Sequence, residues 1–436
     1  MLDRLRNLVG PAHVLSGVEC SPYVLEGRTP EAVVFPGSKE EVGAVVTLAG
    51  EQGVPVLPCG GGTALGIGAP PKGVGIVLGL KRLNRVLEHE PGDLTATVEA
   101  GITLDALQAH LGHRGQWLSL DPSSSDRATL GGILASNAAG PRRHLYGTCR
   151  DLLIGVTVVG ADGTLIRGGG KVVKNVAGYD LPKLFIGSFG TLGVLVEATL
   201  RLRPRPDEDR LVVARFERLA DAGAAARAVM ASDLIPSALE LLEDGALRAL
   251  GLGDGAALLF GVDGIRDQVE WQCGELVRLL TPLGLTGWRD HDGDARDRLW
   301  RQLGDLNEKG VEDVAAVMKV GVLPTQLPTV MEQAAAVAEK NGLRPALTAH
   351  AGIGIATAVL SGGGPDVNAV VATLTEWRIL VKGAGGHAVM EWAPLPVKER
   401  VPVWDEPGPA TRLMKSLKSR LDPRGILNPG RFVGGI

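Results

Sequence analysis

Long apolar runs, paired cysteines and basic stretches are all missing from this chain of 436 residues. No stretch of about 18 apolar residues occurs, so no membrane-spanning helix is expected. Residues 1–10 alternate charged and apolar side chains and lack the apolar centre of a secretory signal. The cysteines Cys20, Cys59, Cys149 and Cys273 stand far apart with no Cys-x-x-Cys pair. That spacing argues against a protein-borne iron–sulfur cluster, a zinc ribbon or a disulfide framework, and it points to reduced thiols in the cytoplasm. With a net charge of −4 and no basic stripe, nucleic acid is not an expected partner. Aromatic residues make up only 4%, so the core must be built from Val, Leu, Ala and Ile.

Glycine is what the chain has in excess. Its 61 glycines cluster at 60–79, 131–140, 160–170 and 187–193 without collagen or linker periodicity. They mark places where backbones must approach closely or turn with positive φ. The length implies two or three domains.

The first part reads as α/β. Ala32–Phe35 is a short apolar strand stopped by Pro36-Gly37. Ser38 caps a helix with Glu41 completing a capping box, and Gly53 ends it. Val54–Leu57 follows as a second strand, and a glycine loop opens at its carboxyl end, where α/β sheets place ligands. Further strands are expected at Gly75–Leu78, Val86–His89 and Leu94–Glu99. A helix capped by Thr103 comes next, then a hairpin of Leu152–Gly160 with Thr164–Arg167, and a strand at Leu192–Leu202. The charged, proline-rich run Arg203–Asp209 marks a domain boundary.

Beyond it, one order of elements occurs twice. Strand Leu211–Phe216, helix Ala220–Ala231, strands Ser237–Leu242 and Ala256–Val262, helix Ile265–Leu280 and strand Leu285–Arg289 form the first copy. A helix near Ala295–Leu303 intervenes. Strand Val314–Val320, helix Thr325–Lys340, strands Pro345–His350 and Ile353–Val359, helix Asp366–Val381 and strand Ala388–Trp392 form the second. Two split β-α-β units predict an antiparallel sheet with helices on one face.

Three glycine runs and a tail carry the candidate chemistry. Pro58-Cys59-Gly60-Gly61-Gly62-Thr63 suits a pyrophosphate, because successive glycines let N–H groups converge on anionic oxygens. It is neither a P-loop nor G-x-G-x-x-G opening a helix. A tight strand connection explains the loop nearly as well. Thr129 to Gly140 reads as a capped short helix of small residues, made for contact with a flat ligand or with a sheet. The third run is Lys174-Asn175-Val176-Ala177-Gly178-Tyr179-Asp180 through Gly187-Ser188-Phe189-Gly190-Thr191-Leu192-Gly193-Val194. The tail contains Asp422-Pro423-Arg424-Gly425-Ile426-Leu427-Asn428-Pro429-Gly430-Arg431.

In this order the motifs resemble the PCMH-type FAD-binding oxidoreductases of the vanillyl-alcohol oxidase fold, and within them the glycolate oxidase flavin subunits. The resemblance implies an α+β protein with a two-subdomain FAD domain over 1–205. It also implies a duplicated, ferredoxin-like cap over 206–395 and a C-terminal segment over 396–436 that returns to the FAD domain. It assigns the pyrophosphate to Pro58, Cys59, Gly60, Gly61, Gly62, Thr63 and Ala64. The flavin and ribityl path falls to Asp121, Pro122, Thr129, Gly131, Gly132, Ser136 and Asn137. Gly187, Gly190, Thr191, Gly193 and Val194 pass the adenosine end, and Asn428 approaches the ring. Covalent members carry a histidine near the Thr63–Leu65 position. None stands there in this chain, so non-covalent FAD is expected.

The departures are equally informative. Relatives that dehydrogenate 2-hydroxy acids carry His-Ala-Gly-Asp-Gly-Asn-x-His and Gly-Glu-His-Gly, linked to a metal and substrate site. Here His350-Ala351-Gly352-Ile353-Gly354-Ile355-Ala356-Thr357 keeps one histidine, and Gly385-Gly386-His387-Ala388 loses the glutamate. One or two imidazoles make a poor metal site, so no metal is expected. This pattern, with Val172–Asp180 and Gly140–Gly147, is similar to the smaller, second flavin subunit of bacterial glycolate oxidases. That resemblance implies hydride transfer from a small 2-hydroxy acid to flavin, with a second flavin subunit and an iron–sulfur subunit as partners. Any membrane association would come through those partners. His387 is the candidate base, and Tyr179 helps position the substrate. A non-catalytic flavin-bearing relay subunit is the competing reading. Arg142 is expected in a solvated basic loop or paired with Asp151 and neighbouring acids; Arg143 and Arg150 stay open between that and anion binding.

Overall fold

The computed structural model describes residues 1–171, 179–306, 310–362 and 366–436. The chain folds as two compact units. Met1–Ala139, Thr148–Arg205 and Glu406–Ile436 form the first; Gly140–Gly147 and Pro206–Asp405 form the second.

The first unit contains two main sheets. One has the order β1-β2-β4-β3, from Val14–Ser16 (β1), Ala32–Val34 (β2), Val56–Cys59 (β3) and Ile76–Gly79 (β4). Strands β2, β4 and β3 run parallel, and β1 is antiparallel at the edge. Helix Lys39–Gln52 connects β2 to β3. Its start is the expected capping box: Ser38 Oγ accepts the Glu41 amide at 3.2 Å, and the Glu41 carboxylate accepts the Gly37 amide at 2.7 Å. Val42, Val45, Val46 and Ala49 are its buried stripe, and Gly53, at φ 64°, ends it.

The strand after this helix starts later than the Val54–Leu57 reading. The Val54 amide still bonds to Ala49 O as part of the helix end, and pairing with β4 begins at Val56. Pro58 and Cys59 are therefore strand residues, and the loop proper starts at Gly60. The second sheet is antiparallel, in the order β5-β6-β10-β8-β9, from Val86–Glu90 (β5), Thr95–Glu99 (β6), Leu153–Val159 (β8), Leu165–Gly169 (β9) and Val194–Arg201 (β10). Gln116–Trp117 (β7) and Arg203–Pro204 (β11) pair separately.

The second unit is built on one antiparallel sheet of eight strands: Glu208–Phe216 (β12), Ala238–Leu242 (β13), Ala256–Gly264 (β14), Gly287–His291 (β15), Val314–Gly321 (β16), Arg344–His350 (β17), Ile355–Ser361 (β18) and His387–Trp392 (β19). Their order is β15-β12-β14-β13-β17-β18-β16-β19. Each half has the spatial order 4-1-3-2, and the two halves meet back to back where β13 pairs with β17. The duplication inferred from element order is thus visible in the topology. Helices, however, cover both faces. Leu211, Val213, Leu242, Leu259 and Val359 pack with helices Asp244–Ala249 and Gly293–Gly304. Alternate residues Val320, Leu347 and Ala358 face helices Leu327–Lys340 and Val367–Gly383. The one-face expectation failed on two counts: Asp244–Ala249, with six residues, is too short to show a period, and the intervening helix Gly293–Gly304 packs on the face left open. Among the described residues no helix is long and apolar enough to cross a membrane.

Residues 140–147 belong to this second unit because of Arg142. It is neither solvated nor paired with Asp151. It is 4% exposed, and its Nη1 donates to Asp263 at 2.7 Å while Nη2 pairs with Asp209. Tyr146 donates to the other Asp263 oxygen at 2.5 Å. Arg142 and Arg296 each lie over the Trp300 ring, at 4.8 and 4.4 Å from its centroid, and Arg296 also pairs with Asp209 at 2.8 Å. Removing one member strands the buried Asp263 charge. Arg142→Met should therefore cost about 3–5 kcal/mol, read as a lower urea midpoint for the second unit; an unchanged midpoint would contradict this account.

Candidate functional site

The loop after β3 presses its backbone against the segment that leads into helix Leu130–Ser136. A Cβ on Gly60 would sit 1.9 Å from Thr129 Oγ1, and one on Gly61 would sit 1.7 Å from Arg127 O. Neither position tolerates a side chain, and Gly62 adds a positive φ of 80°. Thr129 caps the helix as expected, with Oγ1 accepting the Gly132 amide at 3.4 Å. The next amides go to the neighbouring segment: Leu130 donates to Ile102 O and Gly131 to Ala100 O. Gly131 is itself required, since its Cβ would lie 2.9 Å from Ala100 Cβ.

These contacts open a cleft whose empty space, the solvent at its mouth included, is about 800 Å³. Its walls come from four parts of the first unit: Pro58 to Ala64; Thr129, Gly131, Gly132 and Ser136; Gly190 and Gly193; and Asn428 with Arg431. The amides of Gly61, Gly62 and Thr63 have no acceptor among the described residues. Such a set of convergent donors is what an anion needs.

The tail closes the cleft by backbone bonds. The Val56 amide donates to Ile426 O and the Asn428 amide to Val56 O, both at 2.8 Å. The Asn428 side-chain amide donates to Phe189 O at 2.6 Å. Its Oδ1 is buried with no hydrogen-bond partner among the described residues. Arg431 donates to the carbonyls of Leu65, Ile67 and Ala69. Buried Asp422 accepts the Ile426 and Leu427 amides, at 3.0 and 2.8 Å. Lys418 joins Asp422, Leu427 O and Thr191 O at 2.7–2.8 Å, and burial holds its pKa below the ordinary lysine value. A glycine cradle, free amides and an orphaned buried carbonyl oxygen together fit a dinucleotide cofactor.

Six of the expected cofactor residues stand outside the cleft lining. Thr191 donates to Ser188 O at 2.7 Å, and its own carbonyl holds Lys418. Val194 opens β10 inside the core. Asn137, at φ 53°, ends helix Leu130–Ser136, and the Gly187 amide bonds back to Leu134 O. Asp121 and Pro122 do not line it either. Sequence reasoning missed Phe189 and Arg431 along with apolar wall residues such as Leu57, Ile67 and Leu80. Position inside the third run and the tail was the available signal for the first two; the others look like ordinary core.

The expected catalytic residues are not in this cleft. Tyr179 is 95% exposed, and its neighbours Val172–Gly178 lie outside the described residues. His387 is exposed at the start of β19 in the second unit, its ring over Gly321. His350 Nδ1 is 2.6 Å from Glu240, a carboxylate only 2% exposed. His144 lies against Gly352, and burial, then the His350 charge, lowers its pKa. Among the described residues no group of three or more His, Cys, Asp or Glu could hold a metal ion. Burial pushes the Cys59 thiol up to about 11, so it is a poor nucleophile.

Comparison with known proteins bears on both units. Residues 30–169 match the family model described as FAD binding domain. Residues 205–391 and 399–432 match the one described as FAD linked oxidases, C-terminal domain. The glycolate oxidase subunit GlcD of Bacillus subtilis (strain 168) is 33% identical, covering 92% of this chain and 89% of that protein. The D-lactate dehydrogenase of Archaeoglobus fulgidus is 31% identical, covering 95% and 94%. Among solved structures, the 4-ethylphenol oxidase from Gulosibacter chungangensis superimposes with a TM-score of 0.77 at 19% identity, covering 99% of this chain and 96% of that one. At that identity the likeness shows the fold.

The cleft geometry makes a direct prediction. Gly61→Ala should yield folded but colourless protein, with native far-ultraviolet circular dichroism and no flavin absorbance. Yellow Gly61→Ala protein would mean that the loop does not hold the cofactor.

Proposed function

This chain belongs to the FAD-linked oxidases, and we propose that it oxidises a small 2-hydroxy acid and passes the electrons to partner subunits. The observation that carries this reading is the similarity across both units to a glycolate oxidase subunit and a D-lactate dehydrogenase. Both names specify 2-hydroxy acids. FAD supplies the two-electron redox chemistry when bound, and the protein orients the substrate and accepts its hydroxyl proton. His387 is the proposed base and Tyr179 a proposed positioning group. The first sits at a strand start and the second on an accessible segment, so both are open to a small acid.

Non-covalent binding is supported by the chemistry of the cleft wall. Among the described residues no histidine lines it, and Cys59, the one thiol among them, is buried and weakly acidic. Transfer to a partner is supported by the four buried cysteines, which form no disulfide and offer no set of cluster ligands among the described residues. The partners proposed are a second flavin subunit and an iron–sulfur subunit. A cytoplasmic location follows in the same reading, with membrane contact made by partners alone.

A second reading has its own observation. Ile353 and Thr357 stand where the motif of the family this chain resembles has an acid and a histidine, and His350 is tied to Glu240. That favours a flavin-bearing relay subunit without its own substrate turnover.

Anaerobic mixing of the purified chain with glycolate or D-lactate separates the two. Catalysis predicts bleaching of the flavin band, and His387→Ala should lower kcat by on the order of 10²-fold with flavin content unchanged. Spectra unaffected by every 2-hydroxy acid, yet bleached by a reduced partner, would sink the catalytic reading. Acid precipitation should release all flavin to the supernatant; flavin retained in the pellet would contradict non-covalent attachment.

A further inference from the structure

Helix Ala410–Leu421 of the first unit carries the charged side chains Arg412, Lys415, Lys418 and Arg420, all of them basic. At about 100° per residue the helix sorts its residues onto two sides. Met414, Leu417, Lys418 and Leu421 fall on one side and are half-buried, with Lys418 bonded to Thr191 O, Leu427 O and Asp422. Arg412, Leu413, Lys415, Ser416, Ser419 and Arg420 fall on the other, an arc of roughly 160°, and all are exposed. Among the described residues Arg412, Lys415 and Arg420 have no acidic partner. Exposed arginines on other helices do: Arg248 pairs with Asp244 and Arg278 with Glu275, each within one turn. Stability does not explain the difference. Arg412 stands in the first turn, where the helix dipole disfavours a cation, and Lys415 repels it from three residues on. On a chain of net charge −4 this is a local positive face.

We propose that this face docks an acidic, electron-accepting protein. The proposal rests on the reading above in which electrons leave the flavin for a partner, and it names the surface and the charge of that partner. The inner side of the helix is fastened to the cleft. Lys418 holds the carbonyls of Thr191 and Leu427, and Asn428, the next residue, lines the cleft wall. A protein seated on the outer side therefore lies about one helix diameter, roughly 10 Å, from that wall. Exposed, unpaired basic side chains steer an acidic partner onto the face and turn basic ones away. A lipid surface is the poorer match. An interfacial helix presents its apolar side to the bilayer, whereas Met414, Leu417 and Leu421 are half-buried against the protein and Leu413 is the one large apolar side chain of this helix left exposed, at 65%.

The test uses the full flavin-loaded chain, reduced anaerobically by light with a tertiary-amine donor so that no substrate is needed. Reoxidation is followed with cytochrome c in two forms, native (basic) and succinylated (acidic). Each reduced flavin gives one electron to each of two ferric haems and releases two protons to water. The overall charge of −4 by itself favours the basic form. The docking face predicts the opposite: the acidic form reacts faster by roughly 10-fold at low salt, and high salt removes the advantage. Arg412→Glu, Lys415→Glu and Arg420→Glu combined should abolish it, with flavin absorbance and thermal midpoint kept. Arg227→Glu, Arg298→Glu and Arg344→Glu combined, at exposed positions of the second unit, should leave it in place. A faster basic form, or an acidic preference that survives the first triple variant, would overturn the proposal. So would parent protein that floats with phosphatidylserine vesicles while reacting alike with both cytochromes, since the face would then serve a lipid surface. Should the triple variant fail to fold, Lys415→Glu alone and the salt dependence of the parent decide in the same way. Flavin that neither cytochrome reoxidises would defeat the partner-transfer reading and the proposal with it, whereas a chain that takes up no FAD would defeat the cofactor reading first.

Discussion

Everything at the cleft depends on one close approach, the backbone of Gly60–Gly61 against Arg127–Thr129. Virtual Cβ distances of 1.9 and 1.7 Å leave no room for any other residue. The contact joins the end of a parallel strand to the cap of helix Leu130–Ser136. It turns the loop so that three successive amides are left for a ligand. Conformational freedom is the cost of so many glycines, and the structure offsets it by clamping the loop from outside. Ile426, Asn428 and Arg431 bond directly to β3 and to the 65–69 segment, more than 350 residues away in sequence.

The clamp explains why the C-terminal segment belongs to the first unit although the whole second unit precedes it. Asp422 and Lys418 form a buried, mutually neutralising pair that also satisfies backbone groups on both sides. Paired in that way they are tolerated in the interior, whereas either alone would be strongly destabilising. In the second unit Arg142, Asp209, Asp263 and Arg296 follow the same logic around Trp300.

Much of this is legible in the sequence because it is local. The Ser38–Glu41 box, the Thr129 cap and the doubled order of strands and helices each follow from a few neighbouring residues. The glycine runs are legible as well, since a glycine required by close approach leaves the same mark wherever its neighbour comes from. Long-range pairings are not. Nothing near Arg142 announces Asp263, so its ion pairs and the assignment of 140–147 to the second unit could not be read. Arg431 looked like the end of a turn, and its three carbonyl acceptors lie in a segment with no charge pattern to betray them. The shift of β3 by two residues was lost for a local reason: Val54 still completes the preceding helix. Thr191 and Val194 were expected at the ligand from their run; Thr191 donates to Ser188 O and its carbonyl accepts from Lys418, and Val194 opens β10 in the core.

The central claim is that backbone amides of the glycine loop, closed in by the tail, hold the pyrophosphate of a non-covalent FAD. A crystal structure of the flavin-bound protein tests it most directly. The account predicts diphosphate oxygens within about 2.7–3.2 Å of the Gly61, Gly62 and Thr63 amides, with Asn428 and Arg431 in the same wall and no protein–flavin bond. A cofactor seated elsewhere, or joined covalently to the chain, would contradict it.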